Sequence, residues 1–328
     1  MAPSSVPSVL RLGTRGGDLA LWQAREVARL ITDRHPGIII QLQVIRTAGD
    51  RHASTPIEQV GVTGVFTREI EQALRDGRID LAVHSLKDLP TRLGEGLTLA
   101  AIPERADPRD ALVASPGTRL ATLPFRARVG TSSSRRRVQL LASRPDLVAL
   151  DLRGNVPTRL AKLDRGDYDA VVLACAGLQR LGLAGRASEI LEPDVMMPAP
   201  GQGALAVEAR IEDPGVVALL ETIDHRLTRL ATTVERTCLA KLEGGCQAPV
   251  GALAAWTGEA MTAAAAVVSA GGDRAVRARI DAVIRTDAEA SRAGLLLAER
   301  LLQQGAAEIL AEARASARGG GAPDRDAP

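Results

Sequence analysis

The sequence predicts two α/β lobes joined by a hinge, followed by a small C-terminal α+β domain. Three observations carry this. A strand, a polar turn and a helix occur twice in the same order: Leu12-Gly-Thr-Arg15 is answered by Val129-Gly-Thr-Ser132, and Asp76-Gly-Arg-Ile-Asp-Leu-Ala-Val83 by Arg165-Gly-Asp-Tyr-Asp-Ala-Val-Val172, as two related lobes would leave behind. Pro103-Glu-Arg-Ala-Asp-Pro108 and the Gly-rich stretch Ala199 to Glu208 read as two crossings between the lobes. Beyond His225 the pattern changes to a helix, three strands and two helices. The boundaries that follow are 7–103 with 204–222 for the first lobe, 104–203 for the second, 226–317 for the C-terminal domain and 318–328 for a disordered tail without apolar anchors.

In the first lobe, Val9 to Leu12 forms a short strand that breaks at Gly13-Thr-Arg-Gly-Gly17. Asp18 is read as the cap of a helix whose stripe of Leu19, Trp22, Val27 and Leu30 runs to His35-Pro-Gly37. Ile38 to Ile45 is nearly continuous in apolar character, as in a strand covered on both faces. Thr47 to Gly64 lacks periodicity and reads as a long loop, a candidate lid. A helix over Phe66 to Arg75 and strands at Ile79 to His84 and Leu97 to Ile102 complete the lobe. The second lobe starts with a strand at Arg128 to Thr131, a Ser132-Ser-Ser134 turn and a helix opening on Arg135-Arg-Arg137. In the C-terminal domain a helix runs to Leu242, strands cover Gly251 to Ala255, Met261 to Val268 and Ala275 to Ile284, and helices cover Asp287 to Gln304 and Ala306 to Ala317.

Composition narrows the function. With 41 basic and 39 acidic residues the net charge is +2, so no global field draws a polyanion, and the aromatic residues Trp22, Trp256, Phe66, Phe125 and Tyr168 are too few for base-stacking platforms. Nucleic acid is not expected as a partner on these grounds. No apolar run approaches the roughly 20 residues that span a bilayer. Three cysteines at spacings that fit neither zinc nor a disulfide framework point to a reducing compartment, and Met1 to Ser8 carries no secretory pattern, so the cytoplasm is expected.

Three places invite chemistry. Lys87 and Asp88 follow the Ile79 to His84 strand directly, and binding groups gather at the carboxyl ends of strands in such folds. Lysine is rare here, the others being Lys162 and Lys241. Arg135, Arg136, Arg153, Arg159 and Arg180 cluster near strand ends of the second lobe, with Arg11 and Arg15 able to face them from the first. Paired guanidinium donors suit carboxylates, so the inferred ligand is a polycarboxylate. Leu242-Glu-Gly-Gly-Cys-Gln-Ala-Pro-Val-Gly251 presents Cys246 on an open, glycine-permitted turn, whereas Cys175 lies in an apolar run and reads as structural. From these residues alone the choices are an enzyme carrying a group on Cys246, a two-lobed small-carboxylate-binding protein without catalysis, and a cysteine hydrolase or amidotransferase needing one of His35, His52, His84 or His225 beside the thiol.

His84-Ser-Leu-Lys-Asp-Leu-Pro90, Val129-Gly-Thr-Ser-Ser133 with Arg135-Arg136, Leu152-Arg-Gly-Asn155 with Thr158-Arg159, Ala176-Gly-Leu178 with Arg180, Pro200-Gly-Gln-Gly-Ala204 and Glu243-Gly-Gly-Cys-Gln247 occur together and in order. Over nearly its whole length the chain thus resembles the porphobilinogen deaminase (hydroxymethylbilane synthase) family. The resemblance implies two lobes like those of periplasmic binding proteins and a C-terminal domain whose Cys246 holds a dipyrromethane cofactor by a thioether. It implies a monomer that joins four porphobilinogen molecules head to tail on that cofactor, releases ammonia each time and hydrolyses off the linear tetrapyrrole, with no metal. Asp88 falls at the catalytic carboxylate; Ser85, Lys87, Thr131, Ser133, Arg135 and Arg136 at cofactor-binding positions; Arg11, Arg15, Arg153, Arg159 and Arg180 at positions for substrate or chain carboxylates. Two departures stand out. Gly17 replaces a usual serine, and Val62-Thr63 replaces a common Gly-Lys in the expected lid.

Overall fold

A computed structural model describes residues 7–47, 67–243 and 248–319. The expected lid, apart from Thr47, the Cys246 thiol and the tail from residue 320 lie outside the described residues. In chain order the first elements are β1 (Val9–Thr14), α1 (Asp18–Arg34), β2 (Ile39–Val44), α2 (Arg68–Arg75), β3 (Leu81–Ser85), a single 3-10 turn (Leu86–Asp88) and β4 (Leu97–Ala101). Next come β5 (Asp110–Val113), β6 (Arg128–Gly130), α3 (Ser134–Ser143), β7 (Val148–Leu150), α4 (Val156–Asp164), β8 (Ala170–Ala174), α5 (Cys175–Arg180) and β9 (Glu189–Leu191). The chain then returns as β10 (Leu205–Arg210) and α6 (Pro214–Glu221), and ends with α7 (Arg226–Lys241), β11 (Val250–Thr257), β12 (Ala260–Val268), β13 (Ala275–Ala282), α8 (Asp287–Gln303) and α9 (Ala306–Gly319).

These strands form three sheets, ordered β2-β1-β3-β10-β4, β7-β6-β8-β5-β9 and β11-β12-β13. The first two share one plan: three parallel strands, then an antiparallel strand inserted from the other side of a crossing. Thus β10 enters the first sheet beside β3, and β5 enters the second beside β8. The third sheet is an antiparallel meander covered by α7, α8 and α9, with Val234, Cys238, Ala265, Val267, Leu297 and Leu301 in its core. The architecture is therefore two α/β lobes and a small α+β domain.

Two expectations need correction. Ile39–Val44 is not covered on both faces: β2 is the edge of its sheet, with Ile39 59% and Val44 56% exposed. An apolar β-branched run favours a strand but carries no information about its place in the sheet order. Asp18 is not the cap of α1; Gly17 is, at φ 106, and Asp18 is the first helical residue, its carboxylate placed favourably at the positive end of the helix dipole. A backbone at that φ suits glycine and strains a serine. From there Ala24, Val27 and Ile31, spaced three and four apart, seat α1 on Leu10, Leu12, Leu81 and Val83.

Candidate active site

At the carboxyl end of β3 the chain tightens into the Leu86–Asp88 turn, closed by Leu89 N donating to Leu86 O at 3.2 Å. Period-two alternation sends His84 into the lobe, where its Nε2 lies 2.8 Å from Glu208 Oε2, and leaves Ser85 on the other face within 2.9 Å of Gln23 Nε2. Lys87 is half-buried and donates from Nζ to Gln202 Oε1 at 3.2 Å. Asp88 is exposed, and among the described residues its carboxylate makes no hydrogen bond or ion pair.

The facing wall is built from β6 and the start of α3. Ser133 caps this helix by accepting from Arg136 N, and Thr131, 1% exposed, accepts from Ser133 N at 3.2 Å. Arg135 and Arg136 then point inward, not to solvent. Arg136 donates to Asp110 Oδ1 from Nη2 at 2.7 Å and from Nε at 3.0 Å, and to Val172 O at 2.9 Å. Arg135 donates to Met197 O at 2.6 Å, and its Nη2 lies 2.8 Å from Asp110 Oδ2, an ionic contact out of line for a hydrogen bond. Burial works to raise the pKa of Asp110, but Arg135, Arg136, Lys87 and Gln202 outweigh it and hold the carboxyl at about 2. Gln202 completes the array by donating to Asp110 Oδ1 at 3.0 Å while accepting from Lys87. Three cations face the buried Asp110 and the exposed Asp88, so the cluster stays positive.

Neither Asp110 nor Gln202 is singled out as a site residue by sequence reasoning. Their placement follows from topology. Asp110 pairs in register with Ala174 at the end of β8, and Leu205 with Ser85 at the end of β3, so both antiparallel strands begin where the parallel strands finish. The Pro200-Gly-Gln-Gly-Ala204 motif flags Gln202; Asp110 starts a four-residue strand with no comparable signal.

Arg159, on α4 after the Asn155 cap, is half-buried and donates to Gly154 O at 2.8 Å. Burial pushes its guanidinium down to about 10, Arg136 and Arg153 push the same way, and Asp88 opposes them from the other lobe. Arg153 sits nearby, 3.8 Å from the Asp151 carboxylate. Arg180, at the end of α5, donates to Gly203 O at 2.6 Å and stacks over Trp22 with 5.6 Å to the ring centroid; burial lowers it to about 10, against Glu26. Arg15 follows β1 at the same end of the sheet as Ser85.

Arg11 does not join them. In register it is level with Asp80, ahead of β3, and it binds that carboxylate through Nη2 at 2.7 Å and Nε at 3.0 Å. Five residue steps along the strand separate Asp80 from Ser85, roughly 16 Å at the usual rise per residue. The expectation that Arg11 binds substrate carboxylates is therefore replaced by a structural role at the far end of the sheet.

Two sequence-based comparisons bear on the whole chain. The family model described as porphobilinogen deaminase, dipyromethane cofactor binding domain, matches residues 10–218, and that for the porphobilinogen deaminase C-terminal domain matches residues 229–303. Porphobilinogen deaminase from Roseiflexus sp. (strain RS-1) is 51% identical over 304 residues, covering 92% of this chain and 98% of that protein. Porphobilinogen deaminase from Nitratidesulfovibrio vulgaris (strain DSM 19637 / Miyazaki F) is 48% identical over 305 residues, 92% of this chain and 96% of that one. Among solved structures, a periplasmic substrate-binding protein of an ABC transporter from Coxiella burnetii is similar at 17% identity, 67% of this chain, 93% of that chain and a TM-score of 0.42. With both domain models matched in order and about half of all positions identical to full-length relatives, the chain belongs to the porphobilinogen deaminase family.

Proposed function

We propose that Asp88 is the catalytic carboxylate with which this chain, as a hydroxymethylbilane synthase, condenses four porphobilinogen molecules head to tail, releases ammonia at each step and hydrolyses off the linear hydroxymethylbilane. The observation that carries this is the exposed Asp88 carboxylate, which makes no hydrogen bond among the described residues and whose charge is felt by Lys87 and by Arg159 of the facing lobe. This donor and acceptor set fits a chain of pyrroles: ring N–H groups need an anionic acceptor, while acetate and propionate groups need cations. The dipyrromethane on Cys246, when bound, supplies the free pyrrole carbon onto which units are added.

In this reading Asp88 accepts from the ring N–H of an incoming porphobilinogen. As the carbon–nitrogen bond to the departing ammonia breaks, positive charge spreads into the pyrrole, and a fixed carboxylate stabilises that charge as it develops. The same carboxylate would pass a proton toward the departing amine and take up the proton that the acceptor pyrrole's α-carbon must lose as aromaticity is restored. Lys87, Arg15, Arg153, Arg159 and Arg180 pair with the acidic side chains. Ser85, Thr131 and Ser133 shape the two turns, while Arg135 and Arg136, anchored on Asp110, supply a buried positive floor.

The match to the C-terminal domain disfavours a two-lobed binding protein without catalysis. No helix of the described residues is long and apolar enough to cross a membrane. A cytoplasmic monomer is the reading best supported by the few cysteines and by a site assembled within one chain. The test is the intact mass of the purified protein with a peptide map, followed by porphobilinogen addition. A mass excess of two linked pyrroles on Cys246 and one ammonia per porphobilinogen consumed are expected; no adduct and no ammonia would overturn the reading.

A further inference from the structure

The Leu86–Asp88 turn is held from outside its own lobe. Arg236 of α7 reaches it from the C-terminal domain, its Nη1 donating to Leu89 O at 3.1 Å and Leu86 O at 3.4 Å and its Nη2 to Pro90 O at 2.7 Å. These carbonyls belong to the residue two before Asp88 and the residues one and two after it. On the opposite side Leu86 N donates to Ala204 O at 3.0 Å, so the second crossing braces the same turn. The Asp88 side chain has no hydrogen bond of its own among the described residues, so the backbone of the turn is the main determinant of where the carboxylate stands. A planar guanidinium serving several acceptors is a rigid jig for that backbone, which a lysine's point charge cannot reproduce. Cys246 follows ten positions further along the chain, so the segment leading to the cofactor attachment point also grips the catalytic turn.

We propose that Arg236 is a positioning residue for the reaction, setting the Asp88 carboxylate relative to the cofactor-bearing domain through the carbonyls of Leu86, Leu89 and Pro90; this rests on the assignment of Asp88 as the catalytic carboxylate. Displacement of a reacting group by about 1 Å costs on the order of 100-fold in rate, without loss of the groups that bind the substrate. Arg236 meets the first lobe at backbone carbonyls of the turn, so its removal is expected to act on kcat more than on KM.

The experiment compares holoenzymes whose loading on Cys246 is verified by mass: parent, Arg236→Gln, Arg236→Lys, Asp88→Asn, Asp88→Glu and the Arg236→Gln/Asp88→Glu double variant. Arg236→Gln is expected to lower kcat about 10- to 100-fold with KM for porphobilinogen within about twofold. Arg236→Lys recovers part of this and serves if the glutamine variant does not fold. In the Asp88→Glu background, where the carboxylate is already displaced by a methylene, Arg236→Gln costs much less than in the parent. A loaded Arg236→Gln or Arg236→Lys enzyme with parental kcat overturns the proposal, as does full additivity in the double variant. If Asp88→Asn turns over at the parental rate, the assignment of Asp88 has failed and the proposal falls with it; if Asp88→Asn is inert while Arg236→Gln is normal, only the proposal falls.

Discussion

Lys87 sits between charges of both signs, and its ammonium is pushed down to about 8. Burial is the largest cause, Arg136 and Arg135 act in the same direction, and Asp88 and Asp110 oppose them. Below pH 8 the cation is present; as pH rises through 8 it is lost and with it one partner for a ligand carboxylate. Stability moves the other way: between about 8 and the ordinary lysine value near 10.4 the unfolded chain holds the extra proton, so unfolding becomes harder as pH rises. We expect kcat/KM to fall as pH rises through about 8, and Lys87→Arg, which does not titrate there, to flatten that limb in a pH–rate profile. An unchanged limb in the arginine variant would separate Lys87 from the pH dependence. The titrating residue itself is readable in the sequence, because lysine is scarce and Lys87 follows a strand. Its pKa is not readable, since Asp110 and Arg136 come from distant parts of the chain.

At the scale of elements, what the sequence reveals depends on whether the signal is local. Strand-then-turn patterns expose the Ser85 to Asp88 and Thr131 to Ser133 turns, because period, cap and punctuation all lie within a few residues. Position along a strand and position within a sheet are not local. Arg11 and Arg15 look alike beside β1, and only the register with Asp80 separates the one at the far end from the one at the site. Asp110 becomes a site group only because β5 runs antiparallel to its neighbours. The crossings carry a further constraint. Gly203 has φ 88, and a Cβ there would lie 2.4 Å from Ala106 O, where the two crossings touch through Ala106 N donating to Gly203 O. Gly182, at φ 70, has open space instead. Alanine at either position meets the left-handed cost of about 1 kcal/mol or more, and Gly203→Ala adds a collision with backbone. Thermal unfolding of both variants should show the larger loss at Gly203; equal losses would remove the close approach from the account.

Across the whole molecule the three bodies meet at Glu235 on α7, which is fully buried. Arg105 of the first crossing donates to its two oxygens at 2.6 and 3.0 Å, Gly201 N of the second crossing at 2.6 Å, and Ala254 N of the third sheet at 2.8 Å. One carboxylate therefore ties both lobe connections to the domain that holds Cys246. Leaving Arg105 buried without its counter-ion costs about 3–5 kcal/mol. Calorimetry of Glu235→Gln should accordingly show a lower unfolding midpoint and less cooperative melting of the three bodies, and a midpoint equal to the parent's would rule out the joint as a main tie. Sequence reasoning passes over Glu235 because an acidic residue inside an arginine-rich helix looks like a solvated one until the crossings fold onto it.

The same helix grips the first lobe through backbone acceptors: Arg229 donates to Leu99 O and Ala100 O, and Arg236 to Leu86 O, Leu89 O and Pro90 O. The acceptor in each case is the peptide unit, which every residue type presents equally. Side chains at the partner positions are thus free to change without loosening the joint, but for the same reason no change among them can repair it once an arginine is gone.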